Sequence, residues 1–524
     1  MSEPTASSTL GAQEIARHVA AGELSAREAV EERVRRIEEA NSRLNAVVVP
    51  LFDRALGEAD AADAARSRGE PLGPLHGVPI TIKEQFLVAD TPTTVGLPSR
   101  ASHRAAEDGP LVGRLRQAGA IVLGKTNVSQ LLIYHESDNP VYGRTNNPWD
   151  PQRTPGGSSG GEAAIVAAGG SPLGLGGDYG GSIRVPAHFS GVHGLRPTAG
   201  RLTVLDTPGG IFPAGQEAII PQPGPMARKV EDLALAMQVL AAPGLGATDP
   251  GVPPVPWPDW RAVSLDGLRV AVYSDDGFFR PAPAARRAVR EAAAALRSRG
   301  AQVEEWSPPG VADAVRVYLG IASADGGAGY KRALGKDERD RRISGLLRGA
   351  GLPNGARPLA ARLLERAGQR HTARVVRSMG RRSAAGYWRL VEERADLRKR
   401  FLRELDAGRF DAIVCPPHAL PALKHGASEF LLSAAGYSLL YNVLGMPAGV
   451  VAATRVRADE ESDRQPSSDV AERSARKTEE GSAGLPVGVQ VAARHWREDI
   501  TLAVLSALEE HFRAQPDYPA HAPI

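Results

Sequence analysis

The chain has 524 residues, long enough for one large domain or a pair, and its 63 Lys and Arg against 60 Asp and Glu leave a formal charge of +3. That near-balance gives no support for a dedicated nucleic-acid binder, while 42 % apolar and 23 % charged residues read as a soluble, globular chain. A single cysteine, Cys415, rules out an intramolecular disulfide and disfavours a thiolate metal cluster, and no 18 apolar residues run together to span a membrane.

The first residues lack a basic segment followed by an apolar one, so no secretory leader is visible and the expectation is a cytoplasmic protein. Residues 1–70 read as helical: Ser25 and Glu28 have capping-box spacing, and Val30, Val34 and Ile37 follow on one face. From Gly77 the pattern alternates as a strand through Val78, Ile80 and Ile82 before Lys83. Leu111–Ala118 reads as a helix stopped by Gly119, and Ala120–Leu123 as a buried strand. Residues 154–200 are rich in Gly, Ser and Ala, with helix signals at Glu162–Ala168. Leu268–Tyr273, Pro283–Arg299 and Gln302–Trp306 form a β-α-β pattern, and residues 312–405 are mostly helical and Arg-rich. Ala412–Cys415, Gly445–Ala452 and Val487–Val491 are strand-like. Between the last two, residues 457–484 carry charge and hardly any apolar surface to offset ordering entropy, which predicts a solvated hairpin insertion and a candidate for disorder. The alternation of strands and helices predicts an α/β fold.

Gly119 to Thr126 matches the phosphate-loop expression G-x-x-x-x-G-K-T letter for letter. A phosphate loop follows a strand and opens a helix, whereas here a helix precedes and the four intervening residues are apolar. A core strand is the expected structure.

The chemistry is concentrated in Thr154-Pro-Gly-Gly-Ser158-Ser159-Gly-Gly-Glu162 and Gly177-Asp178-Tyr179-Gly180-Gly181-Ser182-Ile183-Arg184. Glycine on both sides of a serine exposes the hydroxyl and lets consecutive N–H groups aim at one point, the layout of a nucleophile beside an oxyanion nest. Such a serine needs a base. His188 and His193 lie nearby in sequence, but neither sits in a recognisable setting, and the motif is not the G-x-S-x-G elbow. Lysine can serve if burial pushes it towards neutrality, and Lys83, at the end of an apolar strand, is a candidate. Cys415 ends a strand before two prolines, where core packing outweighs a nucleophilic role.

These residues resemble the amidase signature family of Ser-cisSer-Lys hydrolases. Gly156–Pro197 is similar to the family signature and residues 77–84 to its lysine segment, with support from Gly124-Lys-Thr-Asn127, Asn147-Pro-Trp149, Gly194-Leu-Arg-Pro-Thr198 and Gly484-Leu-Pro-Val-Gly-Val-Gln490. Gly160-Gly-Glu162 and Ser171 to Gly176 are most similar to the fatty acid amide hydrolase branch. The resemblance implies a mixed twisted β-sheet surrounded by α-helices in a single domain over residues 1–524, with N-terminal helices to residue 70, a catalytic core over 71–240 and a helical substrate-pocket region over 312–405. It implies Ser182 as nucleophile, Ser158 after a cis peptide as the bridging serine, Lys83 as base, and backbone donors of Tyr179, Gly180, Gly181 and Ser182 as an oxyanion hole. Ser159, Asp178 and Arg184 are expected as supports. Tyr179, larger than the residue many relatives carry there, and Phe212, within the Pro/Gly-rich segment 203–223, are expected near substrate. No metal or organic cofactor is implied. The expected activity is hydrolysis of small, aryl or acyl amides through an acyl-enzyme. A carbamate or ester hydrolase with the same triad is the alternative, and a glutamine-dependent amidotransferase subunit, which would require a partner subunit and tRNA, a further one. The expected partner is a small-molecule amide or carbamate, with no nucleic acid and no membrane span; a homodimer is left open.

Overall fold

The computed structural model describes residues 9–207 and 215–524. Among these residues, in chain order, the strands are β1 (Val47–Pro50), β2 (Pro79–Lys83), β3 (Ile121–Thr126), β4 (Asp138–Asn139), β5 (Gly143–Arg144), β6 (Leu173–Asp178), β7 (His193–Arg196), β8 (Gln222–Ala227), β9 (Arg269–Val272), β10 (Gln302–Glu305), β11 (Ala412–Cys415), β12 (Ala448–Arg455) and β13 (Pro486–Ala493). β4 and β5 form a small antiparallel pair. The other eleven form one mixed sheet in the order β1-β3-β2-β6-β8-β7-β12-β13-β11-β9-β10, surrounded by helices.

Local signals account for much of this. Ser25 accepts from the Glu28 N–H while Glu28 reaches back to Ser25, capping the helix Ala26–Leu44 and satisfying two donors its first turn would otherwise leave open. β2, β3 and β6 run parallel and every residue in them is buried, as expected for strands covered on both faces. The helices Gly160–Ala167 and Arg184–Ser190 are buried along their whole length, which the small residues of the first permit. β2 and β6 pair side by side, Ile82 opposite Leu175, so their carboxyl ends deliver Lys83 and Asp178 to the same edge. In open α/β sheets such an edge is where ligands bind.

The phosphate-loop match begins just after the helix Pro110–Gln117 and runs into β3, where Gly124, Lys125 and Thr126 are strand residues with no exposed loop to wrap an anion. β9 and β10 pair in parallel about the helix Pro283–Ser298, the β-α-β unit read from the sequence. The expectation of helix throughout the first 70 residues missed β1, and β7 and β8 had no counterpart in the sequence reading. Residues 457–484 correct a further expectation. In place of a solvated hairpin they carry the helix Val470–Glu479, packed against the molecule through buried Ala471, Ala475 and Thr478. The charge is compensated rather than solvated: Arg464, 6 % exposed, bonds Glu479 at 2.9 Å and Glu472 at 2.7 Å, with its guanidinium 4.9 Å from the Phe279 ring centre. No described helix is long and apolar enough to cross a membrane.

Candidate active site

Lys83 is the last residue of β2 and is fully buried. Its Nζ donates to Ser158 Oγ at 2.8 Å and to the Gly177 carbonyl at 3.0 Å. Burial pushes the amine down to about 7, with the negative charges of Asp178 and Glu162 partly opposing the shift. An uncharged amine at neutral pH can take a proton from a hydroxyl.

Ser158 follows a cis Gly157–Ser158 peptide and opens the turn into the helix Gly160–Ala167. Ser159 donates its N–H to the Ser182 carbonyl at 3.2 Å, and its Oγ contacts both the N–H and the carbonyl of Gly177 at 3.3 Å. It therefore ties the Ser158 turn to the Ser182 turn. Ser182 is 7 % exposed, in the loop between β6 and the helix Arg184–Ser190.

Asp178 organises that loop. Its carboxylate accepts from the Gly181 N–H at 2.8 Å, from the Ile183 N–H at 3.2 Å, from Arg184 Nε at 3.0 Å and from Asn442 Nδ2 at 2.9 Å. Burial alone would raise the Asp178 carboxyl, but the Arg184 guanidinium and these donors hold it well below the usual carboxylate range. Arg184 in turn bonds Gln490 Oε1 at 2.8 Å and Asn442 Oδ1 at 2.6 Å. One expectation changes here. The Gly181 N–H is already committed to Asp178, so it is not available to an oxyanion. The N–H groups of Gly180 and Ser182 have no protein acceptor among the described residues.

Two cavities meet at Ser182 and Tyr179. The larger, about 110 Å³, is mostly apolar, walled by Leu131, Leu132, Tyr318, Leu346, Met379 and Leu439, with several contributions from the helical region 312–405. The smaller, about 20 Å³, is reached by Ser158 and lined by Gln85, Thr207 and residues 221–223. Tyr179 packs on Tyr318 with ring centres 5.4 Å apart. Phe212 lies outside the described residues.

The rejected candidates sit elsewhere. His188 donates to the Leu420 carbonyl and accepts from the Gly488 N–H, and burial lowers it to about 4. His193 accepts from the Ala452 N–H and faces Glu509 at 3.4 Å. Cys415 is fully buried, receives Gln490 Nε2 at 3.2 Å, and burial raises its thiol. No group of three His, Cys, Asp or Glu side chains among the described residues is arranged to hold a metal. The sequence reading missed His135, Asn442, Gln490 in its partnering role, and the acid partner Glu162. Glu162 is fully buried between the hydroxyls of Thr81 and Thr126, the latter at 2.8 Å, and burial raises it to about 7. A carboxyl in a run of Gly and Ala was the one signal for it.

The family model described as Amidase matches residues 28–502. The fatty-acid amide hydrolase 1 of Sus scrofa is 34 % identical over 501 residues, covering 95 % of this chain and 84 % of that protein. The fatty acid amide hydrolase 1 of Caenorhabditis elegans is 33 % identical over 478 residues, covering 90 % and 82 %. A solved fatty acid amide hydrolase superposes with a TM-score of 0.84 at 28 % identity, covering 97 % of this chain and 86 % of that one. The chain belongs to the Amidase family and is a hydrolase of amide carbon–nitrogen bonds.

Proposed function

We propose that this amidase cleaves amides of apolar acyl groups through an acyl-enzyme on Ser182, with Ser158 relaying protons and Lys83 as base. The observation that carries this is the 2.8 Å bond from a buried, near-neutral Lys83 amine to Ser158, whose hydroxyl opens into the same cavity as Ser182. Lys83 takes the Ser158 proton as Ser158 takes that of Ser182, and the Ser182 oxygen adds to the acyl carbon. The N–H groups of Gly180 and Ser182 stabilise the resulting oxyanion, a donor of this kind being worth about 2.7–4 kcal/mol. The proton returns through Ser158 to the leaving nitrogen, the C–N bond breaks, and the amine departs. Water then adds to the ester, giving its proton to the same relay, and releases the acid with Ser182 restored. The apolar walls of the larger cavity favour a hydrocarbon or aryl acyl group. They argue against the charged ends of glutamine, since no Asp, Glu, Lys or Arg side chain lines that cavity to pair with them.

The test is a panel of acyl anilides, carbamates and esters given to the purified chain alone, together with a fluorophosphonate and peptide mapping by mass. Anilides of apolar acids should be hydrolysed without a partner or ATP. The adduct should fall on Ser182, and Ser182→Ala should lower kcat by at least about 10³-fold. An adduct on another residue, or a Ser182→Ala variant with most of its activity, would remove Ser182 from this role.

A further inference from the structure

We propose that His135 is a positioning residue for this reaction, clamping the Gly180–Gly181 peptide and thereby fixing the direction of the N–H groups on either side of it. The inference rests on Ser182 as the acyl acceptor and adds a residue to that site.

The two ends of one peptide unit are held by different partners. The Gly180 carbonyl meets His135 Nε2 at 3.1 Å, and since a carbonyl can only accept, the imidazole carries its proton on Nε2 and donates. The Gly181 N–H donates to Asp178 Oδ1 at 2.8 Å. A planar peptide gripped at both ends cannot turn without losing both bonds. Such a grip matters here because the loop has two glycines in succession, which resist rotation less than any other pair. Neither can be exchanged for a stiffer residue. A Cβ on Gly180 would lie 2.5 Å from Tyr318 Oη, and Gly181 has φ +103° with a Cβ position 2.7 Å from Ser438. Rigidity must therefore come from outside the loop. Asp178 supplies one hand of the clamp, itself fixed by Arg184 and Asn442.

His135 supplies the other, and the chain invests in placing it. Leu131, Leu132 and Tyr134, all with side chains, adopt φ of 54°, 59° and 73°, a left-handed region that is unfavourable for a residue bearing a Cβ. Three such residues in four, leading directly into His135, persist because the segment is tied down: Leu131 N–H to the Val95 carbonyl at 2.8 Å, Tyr134 Oη to the Arg342 carbonyl at 2.8 Å, and Glu136 to Arg342 at 2.8 Å. Burial lowers the His135 ring below its ordinary value, in keeping with a neutral donor. If the clamp is released, the unpartnered N–H groups of Gly180 and Ser182 lose their fixed direction, and the donors for the developing oxyanion go with them.

The test compares His135→Phe, His135→Gln and Ser182→Ala, assayed for kcat, KM and inhibition by a substrate-like boronic acid, which forms a tetrahedral anion on serine. His135→Phe should lower kcat by about 10–100-fold, with KM within about threefold, and weaken the boronic acid in proportion. His135→Gln, whose amide nitrogen falls close to Nε2, should recover most of both. If His135→Phe does not fold, His135→Asn, whose shorter amide cannot reach the carbonyl, takes its place in the comparison. A Phe or Asn variant with wild-type kcat beside an inactive Ser182→Ala overturns the clamp and leaves the nucleophile standing. So does equal impairment in the Gln variant, or a kcat loss with unchanged boronic acid affinity. An active Ser182→Ala overturns the reading of the site itself.

Discussion

Replacing Lys83 by methionine, of similar length and no charge, should abolish activity and yet make the protein more stable. In the unfolded chain the amine titrates at its ordinary 10.5, and in the folded chain at about 7. Between those values the unfolded chain binds more protons, so stability rises with pH. The penalty for burying the lysine is full below about 7 and fades as pH approaches 10.5. Converted at about 1.36 kcal/mol per pH unit, it comes to about 4 kcal/mol at pH 7 and about 1 kcal/mol at pH 10. Methionine forfeits the bonds to Ser158 and Gly177, about 1 kcal/mol each, so a net gain of about 2 kcal/mol should remain at pH 7 and vanish by pH 10. Urea unfolding of wild type and Lys83→Met at pH 7, 8.5 and 10, followed by intrinsic fluorescence, measures this directly. The pH dependence carries the logic: a difference that stays constant from pH 7 to 10, or a variant less stable at pH 7, would mean that Lys83 is charged in the folded protein and cannot be the base.

Two further outcomes follow from the same structure. kcat/KM for an anilide should fall tenfold per pH unit below about 7, where Lys83 becomes protonated, and level off above it, and a profile flat from pH 5 to 9 would contradict lysine as the base. Arg464→Ala should destabilise the protein by about 3–5 kcal/mol, because Glu479 is left buried without its partner, whereas Arg476→Ala, which breaks an exposed pair with Glu480, should cost about 0.5 kcal/mol or less. Equal effects of the two in thermal or urea unfolding would show that the segment 457–484 is not anchored through Arg464.

How much of this was legible in the sequence depended on how unusual the local composition was. The Gly-Ser runs at 156–162 and 177–184 stand out because glycine so dense is costly unless the backbone must turn sharply, and they located both serines, Asp178 and Arg184. Lys83 was legible for a related reason: a lysine at the end of an uninterrupted apolar strand has few ways to reach water. The segment 457–484 misled because its composition was read as a sum. Arg464, Glu472 and Glu479 each oppose burial singly, yet the helix Val470–Glu479 brings them together as a compensated cluster over Phe279. Whether charges cancel is decided by pairing in space, which an average over a window does not contain.

The unread parts of the site share a different cause. Asn442 and Gln490 reach Arg184 from 258 and 306 residues further along, and His135 reaches Gly180 across 45. A carboxylate and a guanidinium buried side by side beneath the loop that carries Ser182 must have every remaining donor and acceptor satisfied, or the desolvation of each goes uncompensated. β13 is not a neighbour of β6 in the sheet; Arg184 stands on the helix after β6, Arg184–Ser190, which packs across β12 and β13 and so meets Gln490, while Asn442 comes from the helix Gly436–Leu444. In that helix Asn442 is a buried amide among Leu, Tyr and Val, and β13 presents Gln490 between two valines. A lone amide in an apolar element is thus the sequence trace of a polar site elsewhere in the chain. It marks that a buried partner exists, while the packing of the helix Arg184–Ser190 across the sheet determines which one.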